Sequence, residues 1–124
     1  MSKIIQAVNS MVSNQELITS VIHGRDAKEI FFLYKNKYRW SIKTGDDGSY
    51  SLWFYKTEDS IEYLAHIFDE EWERVPMIHY STKELATKEA FASFEELYRI
   101  VKEKVLGMDK VLDDIIKDMD DVPF

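Results

Sequence analysis

There is no cysteine in this chain, so disulfides, thiolate zinc sites and cysteine nucleophiles are excluded and stability has to come from packing. The absence also fits a reducing compartment. With two prolines and four glycines in 124 residues, no linker rich in Gly, Pro or Ser divides the chain, and no internal repeat or low-complexity tract is present. No run approaches the roughly 18 to 20 uninterrupted apolar residues of a membrane span. The opening MSKIIQAVNSMVSNQ lacks the apolar core and small-residue cleavage site of a secretory signal. These absences predict a cytoplasmic protein without membrane association. Histidine is scarce too. His23, His66 and His79 are the three, none beside a Ser or Asp in a recognisable triad motif, and no nucleotide or metal motif stands out, so no cofactor is predicted.

What is present suits one folded domain with a core of its own: 45% hydrophobic and 31% charged residues in a length too short for two ordinary domains. The net charge of −7 is unevenly spread. Residues 1–44 hold seven Lys/Arg against three Asp/Glu, a balance of +4, which leaves −11 for residues 45–124. An acidic half argues against broad contact with nucleic acid phosphates and for a basic protein partner.

Aromatic residues concentrate in Glu29 to Thr57, where Phe31, Leu33, Tyr38, Trp40 and Ile42 alternate with charged or small residues. Period-two alternation of this kind is the pattern of half-buried strands. A two-residue turn at Asn36-Lys37 sets Leu33 opposite Trp40 and Phe31 opposite Ile42. A three-residue loop, Asp46-Asp47-Gly48, closed by a left-handed glycine, sets Ile42 opposite Leu52 and Trp40 opposite Phe54. The other face then carries Phe32, Ser41 and Trp53 in one row and Tyr34, Arg39 and Tyr55 in the next. Such a sheet is covered on both sides or shows one side to a partner.

Helices flank this meander. Ser2 caps a first helix with Ile4, Ile5, Val8, Met11 and Val12 on one stripe; Ser13-Asn14-Gln15-Glu16 reads as a capping box, and Leu17, Ile18, Val21 and Ile22 continue the stripe to a stop at Gly24. Asp59-Ser60-Ile61-Glu62 opens a helix with Ile61, Leu64, Ala65, Phe68 and Trp72 on its core side, ending near Val75. Pro76 to Tyr80 reads as an additional edge strand. Caps at Ser81 and Ser93 begin a short helix over 83–91 and a longer one ended by Gly107, and Met108, Val111, Leu112, Ile115 and Met119 define a last amphipathic helix. The prediction is a single α+β domain: helical 3–23, an antiparallel three-stranded meander over 29–57 with a fourth strand in prospect, helical 60–119, and a frayed tail at 120–124.

Two surfaces are candidates for function. Tyr34, Arg39, Trp53 and Tyr55 on one sheet face supply the residue types that dominate interface hot spots; the alternative is that a helix covers them as core. The segment Glu58 to Arg74 concentrates Glu58, Asp59, Glu62, Asp69, Glu70, Glu71 and Glu73, suited to a basic partner. The spacing of Glu62, His66 and Glu70 could place three metal-binding groups on one helix face, although a single helix seldom supplies a full ligand set. The Asp-rich stretches lack the ligand order of a calcium loop. Together these point to a non-enzymatic, acidic protein-binding domain whose general plan is similar to that of bacterial toxin-immunity proteins and small phage-encoded inhibitors, a likeness that carries no residue across. A small-ligand or carboxylate-based enzymatic site between sheet and helices, and a homodimer of structural role, are the other readings.

Overall fold

In the computed structural model, which describes residues 2–120, Ser2 caps the first helix as its position predicts, its Oγ accepting the Ile5 amide at 3.3 Å. This helix, α1 (Lys3–Ser13), buries Ile4, Ile5, Val8 and Met11. Five strands follow the order of the chain in one antiparallel sheet: β1 (Ile18–His23), β2 (Glu29–Tyr34), β3 (Tyr38–Thr44), β4 (Tyr50–Tyr55) and β5 (Met77–Ser81). Between β4 and β5 lie α2 (Ile61–His66) and a 3-10 turn at Asp69–Arg74. After β5 come α3 (Thr82–Leu85), α4 (Lys88–Val105) and α5 (Met108–Asp120). The expectation for the tail beyond residue 120 lies outside the described residues.

The α+β class holds, and three or four strands was too few. The strand at Pro76–Tyr80 exists, as β5, pairing with β4. The unforeseen strand is β1, in a segment expected to be helical. Its pairing slips between Thr19 and Ile22, and Ser20 takes φ 53° at that bulge. Two residues there oppose one on β2. The bulge puts Ile18 and Val21 against one core and Ile22 against the other. A spacing of three between Ile18 and Val21 mimics a helical stripe, which is why the periodicity misleads.

The two hairpins behave differently. Asp46-Asp47-Gly48 is the three-residue loop expected, with Gly48 at φ 83° and Ile42 opposite Leu52, Trp40 opposite Phe54. The first hairpin is not closed by two residues. Its loop is Lys35-Asn36-Lys37, with Lys35 and Asn36 at φ 56° and 58°, and Tyr34 pairs with Tyr38. Asn36 takes the left-handed conformation as expected, but Lys35 shares it while its amide bonds the Leu17 carbonyl at 3.0 Å. That one-residue slip turns every β2 side chain to the opposite face: Phe32 lies opposite Trp40, and Phe31 opposite Ser41.

Each face of the sheet carries a core. Ile30, Phe32, Tyr34, Ile42 and Leu52 pack under α1 and α4, against Val8, Met11, Phe94, Leu97 and Val101. Phe31, Leu33 and Tyr55 pack on the other side under α2 and the 3-10 turn, with Ile61, Leu64, Ala65, Ile67 and Val75. Ser93 proves to be interior to α4, its Oγ bonding Asn9 Oδ1 at 2.6 Å across to α1, and the cap is Thr87, which accepts the Ala90 amide at 3.0 Å. Ser81 does cap α3, which stops at Leu85 where Ala86 turns left-handed.

Candidate functional site

The register decides the fate of the aromatic face. With β2 turned over, Tyr34 is buried under α1, on the side opposite Arg39, Trp53 and Tyr55. Tyr55 is 3% exposed, its ring in a three-ring cluster, stacked with Phe31 at 5.7 Å and tilted against Trp72 at 5.3 Å. Trp53 is half-buried and lies flat on the His79 ring, centroids 4.7 Å apart. The Arg39 guanidinium is committed to its own chain, donating to the carbonyls of Lys37, Glu58 and Asp59 at 2.7, 3.2 and 2.9 Å. These four residues therefore form no common surface.

The acidic half of the expected site is at the surface. Glu62, Asp69, Glu70 and Glu73 are all exposed on α2 and the following 3-10 turn. Among the described residues, ion pairs join Lys28 to Asp46, Lys43 to Asp26, Lys83 to Asp47, and Arg99 to Glu96 and Glu103. None of these neutralises a carboxylate between residues 58 and 73. Within the same segment Tyr63 is 47% and Phe68 57% exposed. Phe68 was expected in the core. It is released because α2 ends at His66, where Ile67 turns extended (ψ 153°) and the chain re-enters as a tighter 3-10 turn. Arg25 lies over its exposed ring at 4.3 Å, and the Tyr63 hydroxyl donates to Glu71 at 3.1 Å.

The same early stop separates Glu70 from Glu62 and His66. His66 Nδ1 lies 2.7 Å from the Glu62 carbonyl oxygen, and no group of three or more His, Asp or Glu side chains is placed to hold a metal ion among the described residues. No described helix is long and apolar enough to cross a membrane.

A small polar cavity of about 240 Å³ lies between the sheet and the segment around α2, with Arg25, Glu29, Lys43, Asp69 and Trp72 in its wall. Sequence reasoning missed Glu29, whose only signal was a carboxylate at the head of an apolar strand. Its Oε2 accepts from Ser41 Oγ at 2.7 Å, and Ser41 Oγ lies 2.6 Å from the Tyr55 hydroxyl. Because the single Ser41 proton goes to the carboxylate, the Tyr55 hydroxyl is the donor in the second bond. Burial raises the Glu29 carboxyl above its ordinary value, and the Ser41 hydrogen bond only partly offsets this. Burial, then the Glu29 charge, pushes the Tyr55 phenol up as well.

A raised carboxylate holds its proton more tightly in the folded state than in the unfolded one. Its stabilising contribution is complete below the unfolded pKa and is lost as pH rises through the folded one. Glu29→Gln, which keeps an acceptor for Ser41 without the charge, should therefore gain Tm relative to the native chain as pH rises from acidic to neutral. Paired thermal melts across that range check this; a Tm difference that does not change with pH would remove Glu29 as the cause.

Among the cavity's carboxylates, Glu29 is half-buried, whereas Asp26 and Asp69 are exposed, and His66 does not line it. An acid/base pair made of two buried carboxylates is not assembled there. No family model, curated protein or solved structure matches the chain.

Proposed function

We propose that this chain is a non-enzymatic protein-binding domain for a basic protein, of the inhibitor or toxin-immunity kind. The observation that carries the reading is the acidic surface on α2 and the 3-10 turn, where exposed Glu62, Asp69, Glu70 and Glu73 share one segment with the exposed rings of Tyr63 and Phe68. Charge of one sign accelerates encounter with a partner of the other, and aromatic anchors with few rotatable bonds hold the complex once formed. The anchors are Tyr63 and Phe68 in place of the sheet residues Tyr34, Trp53 and Tyr55, whose rings serve the two cores.

The test is a parallel capture from the native cell extract by the immobilised chain, its Glu70→Lys/Glu73→Lys variant and its Phe68→Ala variant, at low and high salt. The expected result is a basic protein retained by the native chain, then purified and titrated against all three, with affinity at least about ten-fold weaker for each variant and falling with salt. A partner of acidic pI, or one indifferent to both variants, would refute the reading. Neither variant touches a buried side chain, so the circular dichroism and Tm should stay close to native.

A further inference from the structure

A second exposed apolar strip among the described residues lies elsewhere, on α5. Val111, Leu112, Ile115 and Ile116 stand along this helix with exposures from 44% at Val111 to 59% at Ile116. The helix packs on α4, to which Leu106 and a left-handed Gly107 at φ 68° connect it. Thirteen residues give it a length of about 20 Å. An exposed apolar face on a helix of this length marks an interaction surface, and an amphipathic helix laid into an apolar groove is one recurring way of covering it.

The charges on α5 say what kind of groove. At 3.6 residues per turn, Asp113 stands at one border of the strip and Asp114 at the other. Lys110 and Lys117 fall on the far side of the helix, opposite the strip. A second copy of α5, laid parallel or antiparallel, would bring these Asp borders toward one another, with both lysines turned away. A membrane surface rich in anionic lipid would repel the same borders. A protein groove with an apolar floor and Lys or Arg along its rims satisfies the floor and both borders at once.

We infer that α5 is a recognition helix that docks through Val111, Leu112, Ile115 and Ile116 into an apolar groove rimmed by basic side chains on a partner protein. The inference shares with the proposed function the sign of the partner's charge, and it concerns a different surface, so the two can fail separately.

The probe is a fluorescent synthetic amphipathic helix with a leucine face bordered by lysines, compared with the same peptide bordered by glutamates, each titrated with the full chain by anisotropy. The lysine peptide should bind at least ten-fold tighter than the glutamate peptide. Leu112→Asp/Ile115→Asp should lose at least ten-fold of that affinity while Tm stays near native, because the substituted side chains are exposed. This variant adds negative charge, so bare electrostatic attraction would strengthen in it; a loss therefore reports apolar docking on α5. Glu70→Lys/Glu73→Lys should retain lysine-peptide binding within about two-fold. Binding abolished by Glu70→Lys/Glu73→Lys and kept by the α5 variant would overturn the inference and leave the proposed function standing. Equal affinity for the two peptides would overturn it, as would a sedimentation mass showing a dimer that the α5 variant dissociates, or tighter binding to phosphatidylcholine vesicles than to the lysine peptide.

Discussion

Tyr55→Ala should cost about 3–5 kcal/mol of folding stability, the range for emptying an aromatic side chain from a packed core. The ring is 3% exposed and clusters with Phe31 and Trp72, so its removal leaves a void walled by Phe31 on the paired strand β2 and by Trp72 on the 3-10 turn. A domain of this size has roughly 5–15 kcal/mol to lose, and the variant should sit near the edge of folding at 37 °C. Tyr55→Phe separates the hydroxyl from the ring. Ser41 then keeps its bond to Glu29 and loses one donor, a loss of about 1 kcal/mol. Equilibrium urea denaturation of the three proteins gives both numbers. A cost below about 1 kcal/mol for Tyr55→Ala would mean that the ring is not core, and would return it to the list of residues free to meet a partner.

That residue also shows where the sequence is legible. Its presence on a strand, its pairing with Arg39 and the left-handed Gly48 that sets this register all follow from alternation and turn chemistry. Its burial does not. Two aromatic faces on one sheet mean either two covering layers or one exposed platform, and the choice depends on where α2 docks, a tertiary fact with no local pattern. The sheet face expected for Tyr34 is corrected for a different reason. Two-residue and three-residue loops at Asn36 are equally open to that sequence, and the parity of the loop decides which side of β2 is which.

The surface features divide the same way. The carboxylates of residues 58–73 and the stripe on α5 are visible as composition and spacing, because solvated charge and amphipathic periodicity are local properties. The exposure of Phe68 is not, since it sits at perfect helical spacing from Ile61, Leu64 and Ala65 and leaves the core only because α2 stops after one and a half turns or so. The proposed binding reading rests on these two places, α5 and Phe68, where large apolar side chains lie at the surface.

Arg39 is the second large effect, and it acts through the backbone. Its guanidinium joins the end of the first hairpin, at Lys37, to Glu58 and Asp59, in the loop that delivers Ser60 to cap α2 through the Tyr63 amide at 3.1 Å. Arg39→Ala should cost about 2 kcal/mol: three bonds to a charged donor are lost, but the freed carbonyls are near enough to the surface for water to take them. The loss should be local in its first consequence. Amides in the first turn of α2 should exchange faster with solvent, whereas those of β2 and β3 should keep their protection. Arg39→Lys keeps the charge and loses the planar fork, so one ammonium cannot hold three carbonyls in their present directions. If the guanidinium is a clamp, lysine should resemble alanine in exchange at α2. If lysine restores native exchange, positive charge alone is what the acidic loop requires, and Arg39 acts as its counter-ion instead.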